Sequence, residues 1–377
     1  MSKNITLLNC KTLLVDVSGY PLNFLIFPHR LTANAYVGCL HDCAYCYAKW
    51  YCKKDEIKIK PNAPEILKKE LQKRIAKGKP KEPVCLGSIP DPYQAIDKKY
   101  ELTRKMLEVC DQLSYPVFIV TKSDLVTRDV DILSSLAKRN LAAVNFTVTP
   151  LKAKMLEKLE PNAPSNTKRL EAMKILTQAG VQCNLYSSPI LPCLSDNYLP
   201  FILRKASESG AKCCAAIMLK IRPVIWNTLK GFLQNNNSSL IKECDMMILK
   251  NGVPDMAATY DKLYFKKGTK DLSSYSLPEI SYRRGIMEFV AEECKKRGMC
   301  FTSEEFLDLW TTPFSDCVSI NGWNAPTAFD ILELMKSNNN NQISKEDTID
   351  QIKKSFVLEK GWEKLMDKYW DKVKQFV

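Results

Sequence analysis

Three cysteines close together in the sequence constrain this chain more than any other feature. Cys39, Cys43 and Cys46 are spaced C-x3-C-x2-C. A structural zinc site or an ordinary electron-transfer iron–sulfur cluster takes four protein ligands, and this loop supplies three thiolates. Three thiolates can hold a cubane cluster and leave one iron free to bind a substrate or cofactor. The spacing therefore indicates a metal centre built for chemistry.

Two other interpretations of these cysteines stay open from the spacing alone. They could be separate buried or surface thiols, or part of a zinc knuckle. Cys52 is the nearest further cysteine, and His41 lies inside the loop. No nearby Cys-x-x-Cys or His-x3-His pair completes a zinc set, so the cluster is the favoured interpretation.

The loop, with Gly38 before it and the aromatic Tyr45 inside it, resembles the radical S-adenosylmethionine (SAM) superfamily. The resemblance implies a [4Fe-4S] cluster on Cys39, Cys43 and Cys46, which would be the metal ligands and the catalytic centre. It implies that SAM binds the open iron and is cleaved reductively to methionine and a 5′-deoxyadenosyl radical. It further implies a reductant partner such as flavodoxin or ferredoxin.

Composition and the cysteine count narrow the class of protein. The chain has 377 residues, enough for about two domains. Its 15 cysteines are odd in number and scattered, which argues against a disulfide framework and favours a reducing compartment. We find no run of about 18 apolar residues and no signal peptide, so we expect a cytoplasmic protein without a membrane partner.

The net charge of +13 leaves two explanations open. A basic balance of this size favours a polyanionic partner, and nucleic acid is the main candidate. The lysines are spread widely along the chain, however, and could simply occupy the solvent faces of helices.

Between about residue 30 and residue 235, apolar strand-like runs alternate with helical patterns, which is typical of an α/β fold with a parallel sheet. We expect a partial (β/α)6 TIM-type barrel, the core that radical SAM proteins share. The predicted strands are residues 32–38, 83–87, 117–121, 142–148, 182–188 and 211–221. The cysteine loop then follows the carboxyl end of the first strand, where sites of such folds lie.

We divide the chain into an N-terminal extension (1–30), a radical SAM partial barrel (31–240) and a mainly helical C-terminal region (241–377). The extension is predicted to hold a hairpin at 12–16 and 22–27. The helices predicted in the C-terminal region are 282–297, 325–335, 345–356 and 359–376.

Further motifs make the chain resemble the spore photoproduct lyase-like, or DNA repair photolyase-like, branch of the superfamily. They are Asp91-Pro92-Tyr93-Gln94, Val120-Thr121-Lys122-Ser123, and Glu160-Pro161-Asn162 followed by Arg169. The resemblance implies that Lys122 binds the SAM carboxylate by a charge-assisted bond. It also implies contacts to SAM from four other residues: Tyr45, Tyr47, Ser88 and Thr147.

One departure from that branch concerns the hydrogen-atom donor. The lyase has a cysteine at the position of Ser88, and a serine O–H bond is too strong to donate a hydrogen atom well. Strict lyase activity is therefore not expected. Cys85 lies three residues earlier, and we expect it to be a core residue. Glu160 and Arg169 either form a stabilising pair or contact substrate, and we favour the pair.

The expected function is hydrogen abstraction from an unidentified substrate, with nucleic acid as one candidate class. Two alternatives remain: a radical SAM enzyme acting on a small molecule or peptide, and a non-catalytic, metal-stapled nucleic-acid-binding protein. In the C-terminal region, Trp310, Cys317, Trp323 and Asn324 are predicted to pack as core, the alternative for the aromatics being stacking on a base.

Overall fold

The computed structural model describes residues 4–17, 31–50, 52, 56–242, 255–265, 276–303, 306, 309, 311 and 344–355. Several predicted features lie outside these residues. They are the hairpin arm 22–27, the helices 325–335 and 359–376, and the set Trp310, Cys317, Trp323 and Asn324.

The described strands are β1 (Asn4–Leu7), β2 (Val15–Asp16), β3 (Leu31–Ala33), β4 (Tyr36–Val37), β5 (Glu56–Ile59), β6 (Val84–Leu86), β7 (Val117–Thr121), β8 (Ala142–Thr147), β9 (Gln182–Ile190), β10 (Cys213–Met218) and β11 (Cys300–Ser303). Short 3-10 helices cover Tyr47–Trp50 and Asp124–Asp129.

The described α-helices are α1 (Ala63–Ala76), α2 (Asp97–Tyr100), α3 (Leu102–Gln112), α4 (Val130–Ala137), α5 (Ala153–Leu159), α6 (Asn166–Gln178), α7 (Leu199–Glu208), α8 (Pro223–Asn235), α9 (Asn237–Ile241), α10 (Met256–Tyr264), α11 (Ile280–Lys296) and α12 (Lys345–Ser355). Within the described ranges, we find no helix with the length and apolar character needed to cross a membrane.

The main sheet is open and has eight strands in the order β11-β10-β9-β8-β7-β6-β3-β2. All neighbours pair in parallel except β2, which runs antiparallel to β3. Strands β3 and β6 to β10 are the six expected barrel strands, and β11 extends them at one edge. The fold class predicted from the sequence is confirmed as an open parallel α/β sheet.

Local sequence explains why the helices begin and end where they do. On α3, Leu102, Met106 and Cys110 recur on one face and are buried in the main core. Ser165 caps α6 by accepting a hydrogen bond from the Lys168 amide at 3.4 Å. Gly180, with φ of +83°, follows the end of the same helix in a conformation that favours glycine.

The prediction of one first strand over 32–38 is wrong. The chain forms β3 in the main sheet and then β4, which pairs with β5 in a separate three-stranded sheet, β1-β5-β4. The segment between them is held by Lys60, whose amide donates to the Ala35 carbonyl at 2.9 Å and whose ammonium donates to the Asn34 carbonyl at 3.0 Å. Strand β4 leads directly into the cysteine loop.

Candidate active site

The cysteine loop begins immediately after β4, at Gly38, and continues into the 3-10 helix at Tyr47–Trp50. Gly38 has φ of +79°, and a Cβ there would lie 2.6 Å from the Glu56 carbonyl oxygen, so glycine is needed. Cys43 is buried, while Cys39 and Cys46 are partly exposed. The Cys46 amide donates to the Cys43 carbonyl at 3.2 Å, which turns the chain between these two thiols.

The three thiols are close enough to interact electrostatically. Burial and the Asp91 carboxylate raise the pKa of Cys39 to about 12, and Cys46 contributes to the same rise. Burial, then Glu160, raises the pKa of Cys43 well above its ordinary value, with further contributions from Cys46 and Cys39. Metal binding needs thiolates, so ligation at these sulfurs would release protons.

Among the described residues, no three His, Cys, Asp or Glu side chains are arranged to hold a single metal ion. A zinc ion draws all of its ligands to one point, whereas in a cubane each thiolate binds its own iron. Three thiols on one loop, Cys39, Cys43 and Cys46, are donors of the kind that would hold three corners of one cluster.

Gln94, which follows β6, holds the loop on one side. Its Oε1 accepts a hydrogen bond from the Leu40 amide at 2.9 Å, and its Nε2 donates to the Gly38 carbonyl at 3.1 Å. The side chain is fully buried. One glutamine therefore satisfies two backbone groups beside Cys39.

The segment after α5 holds the loop on the other side. The Ala44 amide donates to the Leu159 carbonyl at 2.9 Å. The Asn162 side chain donates to the Leu40 carbonyl at 3.0 Å. Residues distant in sequence therefore fix the loop backbone from two directions, which sets the positions of the cysteines.

Arg169 and Glu160 form an ion pair next to Leu159 and Asn162, the residues that contact the loop on this side. Their side chains are 0% and 1% exposed. Arg169 also donates to the Pro164 carbonyl at 2.8 Å and to the Thr147 carbonyl at 3.0 Å. The expected pairing of Glu160 with Arg169 is confirmed.

Tyr45 connects the loop to that ion pair. Its hydroxyl donates to Glu160 and lies 3.2 Å from the Thr149 hydroxyl, which itself donates to Glu160 at 2.6 Å. The Lys122 Nζ lies 5.8 Å from the centre of the Tyr45 ring. Burial alone would raise the pKa of Glu160, but Arg169, Lys122 and the two hydroxyl donors outweigh it and lower the pKa to about 2. Glu160 is therefore a carboxylate near neutral pH.

Asp91 orients Lys122 at the end of β7. Its carboxylate accepts hydrogen bonds from the Thr121 hydroxyl and the Lys122 amide, both at 2.7 Å. His41 Nδ1 lies 3.6 Å from the same carboxylate. The predicted carboxylate-binding lysine thus has a fixed backbone and places its ammonium beside Tyr45, facing the cysteine loop.

Ser88 and Tyr47 meet at the end of β6. The Tyr47 hydroxyl donates to the Ser88 carbonyl at 2.5 Å, and Asn34 donates to the Ser88 hydroxyl at 3.2 Å. Gly87 has φ of +96°, and a Cβ there would lie 2.1 Å from the Val120 carbonyl oxygen. Only glycine allows this close approach, so the position of Ser88 against β7 depends on it.

Thr147 and Cys85 differ from the other predicted residues in their surroundings. Thr147 is buried at the end of β8. Its backbone carbonyl accepts a hydrogen bond from Arg169 at 3.0 Å. Its role in SAM binding stays a prediction. Cys85 is 0% exposed within β6, so the expectation that it is a core residue is confirmed.

Sequence reasoning missed three residues that build this site. Asp91 and Gln94 belong to a motif noted in the sequence but received no role, and Thr149 was not singled out. The signal that could have found them is position, because Asp91 and Gln94 lie in the segment after β6 and Thr149 lies just after β8, at the edge of the sheet where sites form.

The chain is similar to one protein family and to several known proteins. Residues 34–206 match the family model of the radical SAM superfamily. An uncharacterized protein of Methanocaldococcus jannaschii is 34% identical over 174 residues, which are 44% of this chain and 62% of that protein. An uncharacterized protein of Mycobacterium tuberculosis is 26% identical over 294 residues, 75% of this chain and 77% of the relative.

Solved structures of spore photoproduct lyase share the fold. One variant, with bound AdoMet and dinucleoside spore photoproduct, has a TM-score of 0.59 at 13% identity, over 80% of this chain and 82% of that chain. Another variant has a TM-score of 0.58 over 80% of this chain and 81% of the other.

Residues 34–206 of this chain are thus similar to the radical SAM superfamily, whose enzymes use a [4Fe-4S] cluster and SAM. The matched residues contain the cysteine loop, Lys122 and the Glu160–Arg169 pair. Three thiols on a rigidly held loop, with an ammonium facing them, are a donor set that fits such a cluster and the carboxylate of SAM.

Proposed function

We propose that this protein cleaves SAM reductively and uses the 5′-deoxyadenosyl radical to abstract a hydrogen atom from a substrate. The observation that carries the proposal is the rigid placement of three thiols opposite Lys122. When bound, the cluster supplies the electron that divides the SAM sulfonium into methionine and the radical. The protein residues bind, orient and shield the reactants.

We assign the cluster ligands to Cys39, Cys43 and Cys46. Gln94 and the Leu159–Asn162 segment fix their backbone, so binding a cluster would require little reorganisation of the loop. Preorganisation of this kind is what a site on a scaffold needs to hold a cofactor in one geometry. Tyr45 and Tyr47 border the same site.

We assign the SAM carboxylate to Lys122. The ammonium lies over Tyr45 and near Glu160, which supplies a fixed negative charge behind it. A bound carboxylate would form a charge-assisted bond in a site with restricted solvent access. Ser88 and Thr147 are proposed as further SAM contacts at the ends of β6 and β8.

Nucleic acid is the substrate class that we propose first. The net charge of +13 supports it, because lysine and arginine in excess attract a phosphate backbone. A small molecule or peptide is the competing class. We also propose a cytoplasmic location and a flavodoxin- or ferredoxin-type reductant, since one electron must be delivered for each cleavage.

The test is SAM turnover by the full chain after anaerobic reconstitution with iron and sulfide. With dithionite, we expect release of 5′-deoxyadenosine, and loss of that release in Cys39→Ala, Cys43→Ala and Cys46→Ala. Cys85→Ala is the matched control, because it removes a thiol of the neighbouring strand β6. Full turnover in any of the three loop variants would show the ligand assignment to be wrong. A protein that binds nucleic acid and iron without turnover would be the non-catalytic alternative.

A further inference from the structure

A cavity of about 160 Å³ is lined by the segments that follow β8 and β9 and by Lys242. Its apolar wall contains Leu151, Met155 and Leu194. The same three residues belong to the core cluster that includes Cys43 and Tyr45. One apolar core thus connects the wall of the cavity to the cysteine loop, although none of the lining residues belongs to the SAM site described above.

The rim of the cavity is polar and basic. It is formed by Lys152, Asn197, Tyr198 and Lys242. Both lysines are exposed, and Tyr198 is half-buried. Burial raises the pKa of Tyr198 and the nearby Lys152 ammonium partly offsets the rise, which places that positive charge close to the ring.

The acidic residue nearest to this rim in sequence is engaged elsewhere. Asp196 accepts hydrogen bonds from the Tyr282 hydroxyl at 2.6 Å and from the Cys193 amide at 3.2 Å. The described lining of the cavity contains two lysines and no carboxylate. This balance favours an anionic ligand.

Aromatic rings continue from the rim onto α7. The rings of Tyr198 and Phe201 lie 5.0 Å apart at an interplanar angle of 34°. Phe201 is 38% exposed, so part of its ring faces solvent. The Arg204 guanidinium lies 5.7 Å from the Phe201 ring centre. Exposed rings next to cations form a surface on which an unpaired base can stack.

We infer that this cavity and the adjoining rings bind a nucleotide of a single-stranded nucleic acid next to the site of hydrogen abstraction. The base would stack on Tyr198 and Phe201, and its phosphates would lie near Lys152 and Lys242. A paired base in a duplex has no free face for such stacking, so an unpaired segment fits better. The inference rests on the proposed function, since it names the substrate class of that enzyme.

The test is fluorescence anisotropy of a short fluorescein-labelled oligothymidylate with the reconstituted full chain at several salt concentrations. Tyr198→Ala should weaken binding about ten-fold, while Tyr198→Phe, which keeps the ring, should bind like the wild type. Lys152→Ala and Lys242→Ala should each flatten the slope of log affinity against log salt by about 0.7. Lys174→Ala, which removes an exposed lysine of α6, is the control and should leave the slope unchanged.

Equal binding by Tyr198→Ala and the wild type would overturn the inference, and so would a preference for duplex over single strand. Thermal unfolding of each variant separates lost contacts from lost folding. Release of 5′-deoxyadenosine by the wild type is measured in the same preparation. Turnover without oligonucleotide binding would refute the inference alone, whereas binding without turnover would refute the proposed function and leave only a nucleic-acid-binding site.

Discussion

Arg169 and Glu160 form an ion pair that is almost completely removed from solvent, directly behind the cysteine loop. Each partner has further hydrogen bonds: Arg169 to two backbone carbonyls, Glu160 from the Tyr45 and Thr149 hydroxyls. A buried pair of this kind need not add net stability, but removal of one partner leaves a buried charge without compensation. The pair therefore couples the conformation of the loop to the fold of the α5–α6 segment.

Arg169→Leu is expected to lower the free energy of unfolding by about 3–5 kcal/mol, because it leaves the Glu160 carboxylate unpaired. Urea unfolding of the cluster-free protein measures the change. Lys205→Ala, which breaks the exposed pair between Lys205 and Glu208, serves as the control and should cost less than about 1 kcal/mol. Equal losses in the two variants would contradict a special role for the buried pair.

Stability should depend on pH through Glu160. Its pKa is about 2 in the folded protein, below the ordinary value of 4.5, so the unfolded chain binds more protons in acid. The contribution is fully present above pH 4.5 and is lost as the pH falls towards 2; it amounts to roughly 3 kcal/mol. Unfolding measured across this range should show the loss in the wild type and not in Glu160→Gln. If the free energy of unfolding fell equally with pH in both proteins, the loss would not come from Glu160.

Lys122→Met should raise the KM for SAM by about ten- to a hundred-fold, because the variant loses a hydrogen bond between charged groups whose free energy corresponds to that factor. Iron content should stay that of the wild type, because Lys122 is not a ligand. Lys122→Arg keeps the charge, so its KM for SAM should lie between the values of the wild type and Lys122→Met. The KM is measured from the steady-state release of 5′-deoxyadenosine at varied SAM concentrations. An unchanged KM in Lys122→Met would show that another residue binds the SAM carboxylate.

Gln94→Leu should loosen the cysteine loop, since the Leu40 amide and the Gly38 carbonyl both lose their partner. Each buried polar group left unpaired costs about 1–3 kcal/mol. We expect faster loss of iron from the reconstituted variant to a chelator. Gln112→Leu is the matched control, because Gln112 is exposed and its side chain contacts Lys68. The same rate in both variants would show that Gln94 does not support the loop.

The strands of the barrel could be predicted because they are short apolar runs bounded by turns. The predicted strand 117–121 is observed as β7, and the strand predicted at 142–148 ends one residue earlier, as β8. Strand β11 was not predicted. It lies within the region predicted to be mainly helical, and its four residues join the sheet because they pair with β10, which local pattern does not reveal.

Within the site, the three cysteines were easier to single out from the sequence than the residues that hold their loop. The spacing of Cys39, Cys43 and Cys46 is local information. The contacts of Gln94 and Thr149 join segments 54 and 104 residues apart, so they depend on tertiary packing. The pair of Glu160 and Arg169 was predictable because the two residues are close in sequence and flank one loop. The cavity at Tyr198 appears only when β8 and β9 lie side by side.

The central claim is a cluster held by three cysteines with one iron open to SAM. Electron paramagnetic resonance of the reconstituted, dithionite-reduced protein, recorded with and without SAM, tests it most directly. We predict the signal of a reduced [4Fe-4S] cluster whose line shape changes when SAM is added. An absent iron–sulfur signal, or one that SAM leaves unchanged, would contradict the account.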